Sequence, residues 1–107
     1  MVVKGVRAMK TEMNQHGTKL EITLEGELDT RSAPELDSKF QDIKASVSEI
    51  DIYMDRLTYI TSAGLRILLS MEQEMEEKNG SLTLHGVNDD IMEIFEITGF
   101  DSILEIV

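Results

Sequence analysis

Residues Lys19-Leu20-Glu21-Ile22-Thr23-Leu24-Glu25 alternate strictly between polar and aliphatic side chains. A stretch of this kind is limited to a strand with one face in a core and the other toward solvent. The pattern recurs: Ile50, Ile52 and Met54 alternate with Glu49, Asp51, Tyr53 and Asp55, and Ser81-Leu82-Thr83-Leu84-His85 repeats it. In a doubly wound parallel sheet both faces are covered, so its strands are apolar on both sides. Strands that each keep a polar face predict instead an α/β two-layer fold, a mixed sheet of about four to five strands with helices mainly on one face.

Between these strands the apolar spacing becomes helical. Ser32-Ala33-Pro34-Glu35 has the spacing of a capping box with proline in the first turn, and Leu36, Phe40, Ile43 and Val47 follow, so a helix is expected from about 33 to 46. A second helix, about 63 to 78, carries Leu65, Leu68, Leu69 and Met75 on one side, faces solvent with its glutamates, and stops at Asn79-Gly80. Asn88 is placed to cap a third, with Asp89 and Asp90 in its first turn and Gly99 as its left-handed end. Lys10 to Asn14 is expected to be a strand, turned through Gln15-His16-Gly17 into the next as a hairpin. The predicted order is β-β-α-β-α-β-α, with Ile103 to Val107 too short to assign. His16 falls in a turn and His85 on the polar side of a strand, positions that suit structural rather than catalytic roles.

A chain of 107 residues predicts a single domain, here over residues 10–107, behind a loose tail at 1–9 in which Met9 is an alternative start. With no cysteine and two histidines there is no basis for a disulfide framework, a thiolate metal site or a structural zinc site, and no metal or cofactor is expected. No segment approaches the ~18 apolar residues of a membrane span, and the first residues lack the apolar core of a signal peptide, so the expected location is cytoplasmic. The net charge of −11 argues against a nucleic-acid partner, which requires clustered Lys and Arg, and favours a basic partner surface or simply solubility.

Asp55-Arg56-Leu57-Thr58-Tyr59-Ile60-Thr61-Ser62-Ala63-Gly64-Leu65-Arg66 reads as a strand end at Asp55, a short polar loop and the start of the second helix. Ser62 stands at the helix mouth, where unpaired N–H groups and the dipole favour an anion. Ser or Thr before a helix is also an ordinary N-cap. A capping box, however, would need Glu or Gln where Leu65 or Gly64 stands. Gly64 in a first turn costs up to roughly 1 kcal/mol relative to Ala, which suggests close approach by the backbone of another molecule.

The run Tyr59 to Leu69, preceded by Gly26-Glu27-Leu28-Asp29, resembles the STAS domain of bacterial anti-sigma factor antagonists, and the resemblance extends from about residue 10 to 107. It implies that Ser62 is the phosphoacceptor, that Gly64 and Leu65 are the Gly-Leu pair following it, and that Asp29 is the acidic residue near that site. Partner binding is then expected at Asp29, Thr61, Ser62, Ala63, Gly64 and Leu65. The implied partner is an anti-sigma factor that is also a serine kinase of the GHKL type; the unphosphorylated domain captures it and so releases a sigma factor, and a PP2C-type phosphatase restores that form. Many members carry Asp immediately before the acceptor. This chain has Thr61, a second hydroxyl.

Two other classes are open. A STAS domain can be a constitutive scaffold without phosphorylation, as in subunits of lipid transporters. A receiver-like domain would take phosphate on Asp55, but no acidic pair follows the first strand and Lys78, the last lysine, stands at a helix end. An enzyme is not expected: Asp29 and Asp55 as paired acids would have no nucleophile and base, metal cluster or phosphate-cradling loop beside them.

Overall fold

The aliphatic residues of the alternating stretches all enter one core. The computed structural model describes residues 9–107, with strands β1 (Lys10–His16), β2 (Lys19–Leu28), β3 (Glu49–Ile60), β4 (Ser81–His85) and β5 (Glu105–Ile106). Helices α1 (Ala33–Ile43), α2 (Ser62–Glu77) and α3 (Asp89–Thr98) connect them, with short 3₁₀ turns at Lys44–Ser46 and Phe100–Ser102. Leu20, Ile22 and Leu24 of β2, Ile50, Ile52 and Met54 of β3, and Leu82 and Leu84 of β4 are buried together. Against them pack Leu36 and Phe40 of α1, Leu68, Met71 and Met75 of α2, and Ile91 and Phe95 of α3.

The five strands lie in the order β1-β2-β3-β4-β5, with β1 antiparallel to β2 and every other neighbour parallel. This is the expected two-layer α/β arrangement. On the side away from the core, Glu21, Asp51 and Thr83 share one row and Thr23, Tyr53 and His85 the next. His85 Nε2 lies 2.7 Å from Asp51 Oδ1, and its ring stacks on Tyr53 with centroids 4.7 Å apart. Burial is the largest influence on the Asp51 carboxyl and opposes its ionisation, yet bonds and charge from His85 and Lys19 together hold it below the usual carboxylate range.

Several boundaries differ from the sequence pattern. β3 does not end at Asp55 but continues to Ile60, because the chain takes up two extra residues against β2 without leaving the sheet. Two steps from Thr23 to Glu25 face three from Tyr53 to Arg56, and one step from Gly26 to Glu27 faces two from Leu57 to Tyr59. These bulges turn the strict alternation into burial at Met54, Leu57 and Ile60, a spacing that does not read as a strand locally. α1 is shorter than expected, its last turn being 3₁₀. The tail supplies β5, which pairs through Thr83↔Glu105 and Leu84↔Ile106. Of the expected tail, residues 1–8 lie outside the described set, whereas Met9 is 8 % exposed and joins the core.

Candidate functional site

The pairing of β2 with β3 carries the chain directly to the mouth of α2. Thr61 is extended (φ −105°, ψ 177°); its N–H donates to the Leu28 carbonyl at 3.0 Å, and its own carbonyl accepts the first helical bond from Leu65 N–H at 2.9 Å. Ser62 is therefore the first residue of α2, not its cap. The Thr61 hydroxyl does not cap the helix either: its Oγ1 is buried and has no hydrogen-bond partner among the described residues. The Thr58 hydroxyl donates to the Gly26 carbonyl at 3.0 Å. Of these three neighbouring hydroxyls, only that of Ser62 belongs to an exposed residue and makes no hydrogen bond among the described residues.

Gly64 and Leu65 face inward. A Cβ at Gly64 would stand 2.7 Å from the Leu28 carbonyl oxygen and 2.8 Å from side-chain carbons of Leu28 and Ile60. The close approach expected of another molecule's backbone is thus made by the chain's own β2. Leu65 is 7 % exposed and Ala63 is packed against the core. These three residues seat the first turn of α2 on the end of β2, leaving Ser62 and Arg66 on the outside.

Asp29 follows Leu28 directly, at the same end of the sheet as Thr61. Its carboxylate is bonded within the chain. Its Oδ1 accepts from the N–H groups of Arg31 (2.9 Å) and Ser32 (3.1 Å), and its Oδ2 lies 3.2 Å from the Arg31 guanidinium. The Ser32 N–H bond, with Arg31 adding to it, holds the Asp29 carboxyl below its ordinary value against an opposing effect of burial. The capping box anticipated at Ser32 is absent, because its hydroxyl accepts from Asp29 N–H at 2.9 Å and donates to the Glu27 carbonyl at 2.7 Å. Asp29, three residues upstream, takes over the capping of this turn.

Asp55 stands within β3, not at a strand end, and its carboxylate lies against Gly86, where an added Cβ would be 2.7 Å from Oδ2. That placement removes the geometric premise for an acceptor carboxylate. Two surface features carried no local signal. Tyr59 is 51 % exposed at the end of β3, on a strand the alternation had ended too early. A groove of about 320 Å³ is lined by Ser62, Leu65, Arg66, Leu69, Thr98 and Phe100; it joins α2 to the turn after α3, so only tertiary packing assembles it. No helix among the described residues is long and apolar enough to cross a membrane.

Residues 11–105 match the family described as "Mlab, STAS domain". The anti-sigma-B factor antagonist of Bacillus subtilis (strain 168) is 24 % identical over 98 residues, covering 92 % of this chain and 90 % of that protein. Among solved structures, the anti-sigma factor antagonist SpoIIAA in its unphosphorylated form superposes with a TM-score of 0.74 at 22 % identity, over 94 % of this chain and 87 % of that one. The Bacillus cell fate determinant SpoIIAA in its phosphorylated form gives 0.72 at 22 % identity, over 94 % and 91 %.

Proposed function

We propose that this chain, which belongs to the STAS domain family, is an anti-sigma factor antagonist, a binding module and not an enzyme, working in the cytoplasm. In its unphosphorylated form it captures an anti-sigma factor that is also a serine kinase of the GHKL type, and a sigma factor is released. Phosphorylation of Ser62 ends the capture, and a PP2C-type phosphatase reverses it. The observation that carries this reading is the isolation of Ser62: the Thr61 hydroxyl oxygen is buried, the Thr58 hydroxyl is bonded to the Gly26 carbonyl, and the exposed Ser62 at the mouth of α2 makes no side-chain hydrogen bond among the described residues.

The physical consequence follows from charge. A phosphate adds about −1.5 to −2 charge at a point where a partner would meet a neutral hydroxyl, and each ~1.4 kcal/mol of resulting repulsion or desolvation weakens binding tenfold. The helix N-terminus tolerates that charge, so the switch acts on the surface without unfolding the domain. In this reading Thr61 and Ala63, which flank Ser62 in the chain, and Asp29, which follows the Leu28 carbonyl that Thr61 N–H bonds, would meet the partner, while Gly64 and Leu65 pack the turn from inside.

Incubation with the partner kinase and ATP, followed by peptide mapping, is expected to find one phosphate, on Ser62. Modification confined to Thr58 or Thr61 would overturn the assignment. In calorimetric titrations Ser62→Ala should bind the kinase irrespective of ATP, and Ser62→Asp at least several-fold more weakly, with circular dichroism as the folding control. A second reading, the constitutive scaffold, is favoured by one feature: the close packing of Gly64 on Leu28 accounts for that glycine with no partner at all. Equal affinity of wild type and both variants would select it.

A further inference from the structure

Ser62 and Arg66 are four residues apart on α2 and line the same groove. Residues at i and i+4 share a helix face, and side chains tilt toward the helix N-terminus, so an Arg66 guanidinium is within reach of the Ser62 position. Arg66 is also exceptional in its pairing. Arg31 lies 3.2 Å from Asp29 and Arg56 3.3 Å from Glu25, while Lys10, Lys19, Lys39 and Lys44 each have a carboxylate within 4.0 Å. Lys78 donates to the carbonyls of Lys44 and Val47 at 2.6 Å. Among the described residues Arg66 alone of the cations has no such partner, in a chain carrying 21 acidic residues.

The mouth of α2 is matched to this cation's partner, with free N–H donors and no side-chain acceptor for them among the described residues. No acidic residue stands in its first turn, and among the described residues no side chain caps it and the Thr61 hydroxyl is buried there without a partner. At α3, by contrast, Asn88 accepts from Ile91 N–H at 2.9 Å. A guanidinium offers a planar fork that matches two phosphate oxygens, and the uncapped N–H groups favour negative charge at the same point.

We infer that Arg66 is the intramolecular ligand of a phosphate on Ser62, closing over it from one turn along α2. The inference rests on the reading of Ser62 as the acceptor and deepens it: modification would not only add charge but also withdraw Arg66 from the surface, leaving the groove without its cation. Arg31, which stands beside Asp29 after β2, is already engaged by that carboxylate.

The test installs phosphoserine at position 62 of the full chain by expanded-code translation, so that it does not depend on any kinase. Phosphorus NMR then follows the second ionisation of the phosphate in wild type, Arg66→Gln and Arg66→Lys. An ordinary phosphoserine titrates near pH ~6, and a clamped one is expected about half a pH unit or more lower. Arg66→Gln should return the titration toward the ordinary value, and Arg66→Lys should retain part of the shift. Coincident titrations of wild type and Arg66→Gln would overturn the clamp. Failure of kinase modification at Ser62 would instead remove the functional reading and leave the NMR result standing.

Discussion

Replacing Gly64 with alanine sets two opposing effects against each other, and the structure says which wins. Alanine in a helix is favoured over glycine by up to roughly 1 kcal/mol, so propensity alone would make Gly64→Ala stabilising. The added Cβ, however, would lie 2.7 Å from the Leu28 carbonyl oxygen and 2.8 Å from Leu28 Cγ and Ile60 Cγ1. That carbonyl cannot swing aside, because it accepts the Thr61 N–H at 3.0 Å and belongs to the β2–β3 ladder. Forcing a methyl into a packed contact costs about 1–3 kcal/mol, and a backbone obstacle puts this case toward the upper end. The expected net loss is about 1–2 kcal/mol, which for a domain of this size lowers Tm by roughly 5–15 °C. Differential scanning calorimetry of wild type and Gly64→Ala reads this directly. An unchanged or raised Tm would refute the internal-packing account and return the glycine to its alternative, close approach by an external backbone.

Asp29→Ala removes the acceptor of two backbone N–H groups at the entry to α1, so a Tm lowered by on the order of 5 °C is expected, with loss of protection of the Arg31 and Ser32 amides in hydrogen exchange. An unaltered melting curve would leave Asp29 a surface residue only. The Asp51 carboxyl is held below its ordinary 3.8, so the stability it contributes is present above that pH and is lost as pH falls through the lower, folded-state value. In urea unfolding, the stability gap between wild type and Asp51→Asn should be full at pH 7 and shrink below about pH 4; a gap independent of pH would show that packing, not ionisation, accounts for it.

Local pattern determined a good part of this protein. Alternation at Leu20, Ile22 and Leu24 marks a strand with one buried face wherever it occurs, since side chains on a strand point to opposite sides in turn. Asn88 and Gly99 mark the ends of α3 because capping depends on residues within a turn of each other, and both stand in those roles. The exposed serine opening a helix was legible for the same reason. What tertiary structure alone decided is everything that depends on a distant partner. β3 passes Asp55 because β2 accepts its bulges; Glu105 and Ile106 become a strand because β4 offers an edge. Ser32 gives up its capping role because the Glu27 carbonyl competes for its hydroxyl. Gly64 is required by Leu28, which precedes it by 36 positions in the chain and touches it in space. Periodicity records which way a side chain points, and it carries no record of what stands opposite.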